Sequence, residues 1–344
     1  MVAQVDKELF RISKRKSASR LLSWALFEGR PLTTKGRFIN PLVFAWYRLS
    51  QYIPLKTGTR APIYIVGTGR SGTTVLGKLL CVHRDVMFLN EPKAIWHYAI
   101  RNEDLIGSYT DAPTQVRLDT NQATPEAMSK INRVYNAALR LSGARQIIDK
   151  YPELIFRTEF VNRLFPDAKF IVIIRDGVDA CKSVTQWSNR HKVIAHDGIE
   201  DWWGKNDRKW NLLVSQLVEE HQDLVMFKEK LVNTKNHEDR AAVEWILAMR
   251  EAKKALRNRS KVLSISYEAL CKDSEKTIKE LLRFCSLQSD SSVIKYSSEV
   301  LHDSPLHGQL QLLPELVEPF NHTLIEMGYQ DSVERVTHRK HIGF

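Results

Sequence analysis

The sequence predicts an α/β fold in which helices flank a parallel β-sheet. Five short runs with strand character alternate with helical segments, the arrangement from which such sheets are built. The run Phe170–Ile174 is continuously apolar, as expected of a parallel strand that is buried on both faces. The predicted strands are Ile63–Val66, Val86–Leu89, Gln146–Asp149, Phe170–Ile174 and Val262–Ser266.

Residues 61–344 are expected to form a single domain. A chain of 344 residues is long enough for one large α/β unit, and no glycine- or serine-rich linker or internal repeat interrupts it. A helical insertion rich in tryptophan is predicted at about 189–256, where it would cover a site on the sheet. Residues 1–60 form a basic, amphipathic segment that packs on the main domain or extends from it.

The first predicted strand ends in a glycine-rich loop, Gly67–Thr74, with the sequence G-T-G-R-S-G-T-T. A helical segment follows, and the N–H groups and positive dipole at a helix N-terminus attract anions. Glycines let the backbone approach such an anion closely. Arg70 adds a permanent cation, and Ser71, Thr73 and Thr74 add hydroxyl donors. The loop is therefore predicted to hold a phosphate or sulfate ester.

The loop also matches two other nucleotide motifs incompletely. Gly67, Gly69 and Gly72 fit G-x-G-x-x-G, and Glu91 lies at about the distance of the ribose-binding acid, so a Rossmann-type NAD-dependent oxidoreductase is an alternative. Thr73 stands where the P-loop motif G-x-x-x-x-G-K-[ST] has its lysine, which argues against a kinase or an ATPase. Neither pattern accounts for the arginine and the hydroxyl groups of the loop.

A second anion site is predicted after the fourth strand. Arg175-Asp176-Gly177 ends that strand, and Ser183 lies about two helical turns beyond Arg175. The arginine fork and the serine hydroxyl can bind one phosphate together. Two separate phosphate sites favour a nucleotide that carries a 3′-phosphate, which NAD and ATP lack.

These two motifs resemble those of sulfotransferases that use 3′-phosphoadenosine 5′-phosphosulfate (PAPS). R-S-G-T-T at Arg70–Thr74 resembles the 5′-phosphosulfate loop, and R-D-G-x-x-x-x-x-S at Arg175–Ser183 resembles the 3′-phosphate motif. S-I-S-Y-E-A-L resembles the later R-Y-E-D-L segment, with Ser266 in place of arginine and Ala269 in place of aspartate. The resemblance covers about 62–287 and implies a P-loop-NTPase-like sulfotransferase fold, PAPS as donor and no metal. The implied donor-binding residues are Gly69, Arg70, Ser71, Gly72, Thr73, Thr74, Arg175, Ser183 and Tyr267.

Three residues are predicted to carry the chemistry of sulfuryl transfer. Glu91, in L-N-E-P-K, is the expected general base, because the acceptor hydroxyl must lose a proton and strand ends line the ligand crevice. The resemblance is to the bacterial and tyrosylprotein branch, which has a catalytic glutamate here; other members use a histidine, for which His97 is the fallback. Lys150 is expected to neutralise the leaving phosphate oxygen, and Arg70 to hold sulfuryl oxygens.

The acceptor is left open by these residues. A carbohydrate, a lipid, a phenol and a peptide tyrosine all provide the required hydroxyl group. A homologue that binds the nucleotide without catalysing transfer is a further alternative. In the family a loop closes over the nucleotide late in the chain, where Ser304 or His307 would contribute.

The net charge of +11 is concentrated near the N-terminus, where residues 1–60 hold twelve basic and three acidic residues. Basic and apolar residues mixed in this way can contact an anionic membrane surface or bind an anionic acceptor. They can equally form amphipathic helices that dock on the domain with solvated basic faces. Nucleic acid is not an expected partner, because no motif that reads it is present.

Membrane insertion and disulfides are not expected. No apolar stretch reaches the roughly 20 residues that span a bilayer, and no signal peptide is recognisable. The four cysteines, Cys81, Cys181, Cys271 and Cys285, show no metal or redox spacing. Cys81 and Cys181 lie among apolar residues and are predicted to be buried thiols. The expected location is therefore the cytoplasm, with peripheral membrane contact through residues 1–60 as an option.

Overall fold

Five parallel strands form the centre of the protein. The computed structural model describes residues 4–195, 198–258, 260–302 and 308–339, so Ser304 and His307 lie outside the described residues. The strands in these ranges are β1 Ile63–Gly67, β2 Val86–Asn90, β3 Gln146–Lys150, β4 Lys169–Ile174, β5 Val193–Ala195, β6 Gly198–Asp201, β7 Gly204–Lys205, β8 Val262–Ser266, β9 Leu310–Leu312 and β10 Val336–His338. The central sheet contains β1 to β4 and β8, each within one residue of a predicted run at either end. The predicted α/β class is confirmed.

Helices cover both faces of this sheet. Within the described ranges they are α1 Lys7–Ile12, α2 Lys14–Leu26, α3 Asn40–Ser50, α4 Thr73–Cys81, α5 Lys93–Ala99, α6 Pro125–Ser142, α7 Thr158–Leu164, α8 Gly177–His191, α9 Arg208–Leu212, α10 Gln222–Val225, α11 Lys228–Asn233, α12 His237–Ala255, α13 Tyr267–Lys272, α14 Ser274–Phe284, α15 Ser291–Val300 and α16 Pro314–Glu326. None of these helices combines the length and the apolar character that crossing a bilayer requires. Alternate strand residues enter two hydrophobic layers, Tyr64 and Val66 in one and Ile63 and Ile65 in the other.

The strand order of the central sheet is β2–β3–β1–β4–β8, and every neighbouring pair is parallel. In the Rossmann order the second strand lies directly beside the first, so that its terminal acid can reach the ribose. Here β3 lies between β2 and β1. Because this order differs from the Rossmann order, the oxidoreductase alternative is wrong. The order changes direction beside β1, and ligands of open α/β sheets bind at the carboxyl edge near such a point.

The N-terminal helices α1 and α2 pack along the free edge of β2 and its flanks. Lys16 donates from Nζ to the carbonyl oxygen of Val86 at 2.8 Å. Arg20 is buried, pairs through both of its terminal nitrogens with Glu28, and donates to the carbonyl oxygen of Phe88. The alternative of solvated basic faces is therefore wrong for these side chains. Their burial follows from the unpaired carbonyl groups of an edge strand, which need donors.

The insertion predicted as helical at about 189–256 begins with β-structure. β5, β6 and β7 form a small antiparallel sheet, and helices occupy the following residues as far as α12. The β-branched residues Val193, Ile194 and Ile199 favour strands, and Gly204, with a φ of 81°, permits the tight turn before β7. The prediction of an entirely helical insertion is wrong for its first part.

Three tryptophans of the insertion are buried, and the cysteines agree with the sequence-based prediction. Trp203, Trp210 and Trp245 are buried in the core. Cys81 and Cys181 are buried as well, and all four cysteines are free thiols. Burial raises the pKa of both buried thiols, which makes them poor nucleophiles.

Candidate active site

The loop between β1 and α4 is shaped to receive an anion. Gly67 and Gly72 have φ values of 141° and 91°, which favour glycine. Gly72 is also the N-terminal cap residue of α4, and no side chain caps this helix, so the first-turn N–H groups lack intrahelical partners. Arg70 has a φ of 67°, a strained value for a residue with a side chain, and such strain is common at functional sites.

Arg70 joins this loop to the second predicted anion motif. Its Nε donates to Oγ of Ser183 at 3.2 Å, and Nη1 of Arg175 donates to the carbonyl oxygen of Arg70 at 3.0 Å. Ser183 and Arg175 are both buried. Burial and the nearby charge of Arg175 lower the pKa of Arg70, as expected where two cations lie close together. The two motifs therefore form one cationic cluster.

Tyr267 packs against both parts of this cluster. The Arg175 guanidinium lies over the Tyr267 ring, 4.8 Å from its centroid, which is a cation–π contact. A Cβ atom on Gly72 would overlap the same ring, so only glycine fits there. Ser266 accepts a hydrogen bond from the N–H of Ala269 at 2.9 Å and caps the helix that begins at Tyr267. The tyrosine thus fixes the loop and the arginine relative to each other.

Glu91 and Lys150 meet where β2 and β3 end. Nζ of Lys150 lies 2.5 Å from Oε1 of Glu91, and Nζ of Lys93 lies 3.8 Å from Oε2. Glu91 has a φ of 48°, and its N–H donates to the carbonyl oxygen of Lys150 at 2.6 Å. Burial raises the pKa of Glu91, but the two ammonium groups outweigh this effect and hold the pKa below its usual value. Glu91 is therefore ionised at neutral pH, the form that accepts a proton.

A cavity of about 370 Å³ lies in front of the loop, within the size range of ligand sites. Gly69, Arg70, Thr73, Thr74 and Glu91 line it, so residues of the loop and the predicted base face one space. The aromatic side chains in its wall are Trp24, Tyr109, Trp187 and Trp202.

The remaining predicted site residues lie in a layer behind those that line the cavity. Ser71 is fully buried, and its hydroxyl is hydrogen-bonded to that of Thr68. Lys150 reaches the cavity through Glu91, whereas Gly72, Arg175, Ser183 and Tyr267 belong to the cluster around the loop. The structure thus brings all the predicted site residues together; their roles in binding and catalysis stay predictions.

His97, the fallback base, occupies a different environment. It is buried, and its ring stacks on that of Tyr109 with 5.2 Å between the centroids. Burial lowers the pKa of His97. It is not among the residues that line the cavity, whereas Glu91 is.

A buried network of charges near Glu91 was not predicted. Oε1 of Glu153 lies 3.3 Å from Nζ of Lys93 and 3.6 Å from Nζ of Lys209, and Lys209 lies 2.6 Å from Glu244. Trp202 donates from Nε1 to Glu244 at 2.8 Å. The network fixes one ammonium beside the predicted base and one indole in the cavity wall.

Part of this network has a sequence signal. Lys93 lies in the motif L-N-E-P-K, and Glu153 follows D-K-Y-P, so both adjoin residues that were already singled out. Trp202 and Lys209 come from the insertion, where no motif marks them. A Cβ atom on Gly69 would overlap the Trp202 ring, a contact that only the folded chain reveals.

The N-terminal segment also contributes to the cavity. Trp24, Arg30 and residues 31–34 line it, although no sequence motif marks these positions. The Arg30 guanidinium lies 3.8 Å from the centroid of the Trp24 ring. Residues of the glycine loop and of the N-terminal segment thus enclose a single space.

The family of the chain follows from the comparison of its sequence with family profiles. The profile described as "Sulfotransferase family" matches residues 62–233, which is half of the chain and includes both anion motifs. The chain belongs to the sulfotransferase family.

Curated relatives agree with this assignment. The chain is 28% identical over 134 residues to protein-tyrosine sulfotransferase 2 of Gallus gallus, covering 38% of this chain and 33% of the relative. It is 27% identical over 118 residues to protein-tyrosine sulfotransferase 1 of Homo sapiens, covering 33% and 31%. With the Danio rerio enzyme it shares 24% identity over 185 residues, covering 50% and 51%. The matches thus span between about a third and a half of these relatives.

Solved sulfotransferase structures also resemble the chain. One from Alicyclobacillus acidocaldarius has 16% identity and a TM-score of 0.43, covering 80% of this chain and 94% of that one. Another, from Mycobacterium avium, has 12% identity and a TM-score of 0.46, covering 95% and 96%. The family assignment rests on the sequence profile.

Proposed function

We propose that this sulfotransferase moves a sulfuryl group from PAPS to a hydroxyl group of its acceptor. One observation carries the proposal: the predicted residues follow one another along the carboxyl edge of the sheet. Glu91 follows β2, Lys150 ends β3, the glycine loop follows β1, Arg175 follows β4 and Tyr267 begins the helix after β8. β2 and β4 are three strand spacings apart, about 14 Å. Such a row suits an extended nucleotide that reacts at one end and carries a phosphate at the other.

The residues divide into two binding groups. Loop N–H groups, Arg70, Thr73 and Thr74 would hold the 5′-phosphosulfate, because they face the cavity in front of α4. Arg175 and Ser183 would hold the 3′-phosphate. The contact of Arg70 with Ser183 joins the two groups, as expected if both bind a single nucleotide.

The proposed chemistry is an in-line displacement. Glu91 takes the proton of the acceptor hydroxyl, whose oxygen bonds to sulfur as the bond between sulfur and the 5′-phosphate oxygen breaks. Lys150 and the loop N–H groups neutralise the charge that develops on that phosphate oxygen, and each such donor is worth roughly 3–4 kcal/mol. In the structure Lys150 pairs with Glu91. When Lys150 also interacts with the leaving oxygen, it stabilises the Glu91 carboxylate less, and the carboxylate becomes more basic. Basic side chains and N–H groups supply the positive charge, so the proposal includes no metal.

The acceptor class is left to experiment. The curated relatives are named for protein tyrosine, whereas the aromatic wall suits a sugar, a phenol or a lipid headgroup equally well. A cytoplasmic location is part of the proposal and is supported by four free cysteines, three of them buried.

Ligand binding tests the donor assignment directly. Adenosine 3′,5′-bisphosphate should raise the melting temperature of the protein in a concentration-dependent way, and NAD should not. Arg250→Ala is a suitable control variant, because Arg250 pairs with Asp223 on helices that do not line the cavity. An equal shift with NAD, or a shift with NAD alone, would reject PAPS as the donor.

Catalysis requires a separate measurement. Incubation with PAPS and an extract of the native host, followed by mass spectrometry, should reveal products heavier by one SO₃ group. Bisphosphate binding without any such product would support a homologue that has lost its activity. A product seen with wild type and absent with Glu91→Gln would establish transfer at this site.

A further inference from the structure

Large apolar side chains form an exposed stripe on α3 and its flanks. Phe38, Leu42, Leu49 and Tyr52 are 83%, 73%, 62% and 85% exposed. With the exposed Ala45 they are spaced four, three, four and three residues apart, so they follow one face of the helix. An apolar stripe of this kind on a soluble protein marks a contact surface. We call it the α3 surface.

The opposite face of α3 already packs against the protein. Val43, Tyr47 and Ser50 are buried, and the Tyr47 hydroxyl donates to the carbonyl oxygen of Phe27 at 2.7 Å. A helix that is apolar on both faces is normally enclosed on both. Among the described residues, no element covers the outward face.

The segment that carries the α3 surface has charges of one sign. Residues 29–60 contain six basic residues and no acidic residue. Lys35 and Arg48 are exposed next to the stripe. Arg133 and Arg140 of α6 add their charge from the adjacent helix, where they donate to carbonyl groups just after α3. The surface therefore combines an apolar centre with cationic neighbours.

We propose that the α3 surface docks the protein on an anionic membrane. The apolar side chains would enter the boundary between headgroups and acyl chains, and the cations would interact with anionic headgroups. Self-association through this face would bring like charges together, which disfavours a second copy as the occupant. Of the basic residues in 1–60, Lys16 and Arg20 are used inside the fold and do not contribute to this contact. The inference does not depend on the proposed reaction.

Vesicle sedimentation tests the proposal. The full chain should sediment with vesicles of phosphatidylcholine and phosphatidylserine and bind much less to phosphatidylcholine alone or at high salt. A variant with Phe38→Ser, Leu42→Ser and Leu49→Ser should bind the anionic vesicles at least about tenfold more weakly. These residues do not line the cavity, so bisphosphate should still raise the melting temperature of the variant.

A matched control distinguishes binding through this surface from non-specific binding by exposed apolar side chains. Met226→Ser, Val232→Ser and Ile325→Ser remove side chains that are 76%, 46% and 57% exposed on other helices, and this control should keep vesicle binding. The proposal is overturned if wild type ignores anionic vesicles, binds neutral vesicles equally, or loses binding equally in both triple variants. Light scattering that shows a dimer abolished only by the α3 substitutions, without vesicle binding, would assign the surface to a second copy and also overturn it.

Discussion

Arg175 donates a hydrogen bond from Nη1 to the backbone carbonyl oxygen of Arg70 across 3.0 Å. Arg70 in turn donates to Ser183 at 3.2 Å, on the helix that follows Arg175. The loop after β1 and the motif after β4 are therefore held together before any ligand binds. A charged group that binds one of them changes the electrostatic environment of the other.

Arg175→Ala should weaken binding of adenosine 3′,5′-bisphosphate by about tenfold or more, because one phosphate loses its charged fork. Calorimetric titration measures the change. The bisphosphate affinity of Arg175→Lys should lie between those of Arg175→Ala and wild type, since lysine keeps the charge without the bidentate geometry. Unchanged affinity in the alanine variant would refute the 3′-phosphate assignment.

Glu91→Gln should lower turnover by at least about 100-fold while leaving bisphosphate affinity nearly unchanged, because it removes the base but not the donor contacts. Steady-state kinetics and titration report the two effects separately. His97→Gln is the comparison, and it should retain most of its activity. If His97→Gln lost its activity and Glu91→Gln kept it, His97 would be the base.

Lys93→Met should shift the acid limb of the kcat/KM profile to higher pH. Lys93 and Lys150 hold the pKa of Glu91 below 4.5 against the effect of burial, and the carboxylate must be ionised to act. Removing one ammonium therefore raises the pH at which activity is lost on acidification. Lys279→Met, on the exposed face of α14, should leave the limb in place. An unmoved limb in Lys93→Met would mean that the group titrating is not Glu91.

Gly69→Ala should impair the loop, because a Cβ atom there would overlap the Trp202 ring. The expected result is a lower melting temperature and weaker bisphosphate binding. Adding Trp202→Leu should restore part of both, and a double-mutant cycle measures the coupling. Strict additivity of the two substitutions would show that the ring does not press on the loop.

Asp149→Asn should reduce the pH dependence of stability. Burial raises the pKa of Asp149 to about 7 from an ordinary value of 3.8, although the hydroxyl of Tyr135 and the indole of Trp96 donate to it. The folded chain thus binds this proton more tightly than the unfolded chain, and the free energy of unfolding falls as pH rises through that interval.

The asparagine variant should gain stability relative to wild type as pH rises from 5 towards 8, a trend that thermal melts at several pH values would record. Glu280→Gln, at an exposed position on α14, serves as the control. A constant difference between wild type and Asp149→Asn across this range would contradict the raised pKa.

Strand positions were predictable because apolar runs and glycine loops are local signals. β1 and β4 were recognisable for this reason, as were Arg70 and Arg175 at their ends. The sequence could not reveal that Trp202 would press on Gly69 or that Lys209 would join Glu153, because these contacts depend on how a long insertion returns to the sheet. Nor did local patterns reveal that Lys16 and Arg20 would donate hydrogen bonds to the carbonyl groups at the edge of β2.

The wall formed by Trp24, Arg30 and residues 31–34 has an evolutionary consequence. The proposed donor-binding groups lie mainly at strand ends and in the turns after them, whereas this part of the wall belongs to a segment that precedes the first strand. Under the proposed function, substitutions in the early segment would change which acceptor fits the cavity during evolution, without altering the residues at the strand ends.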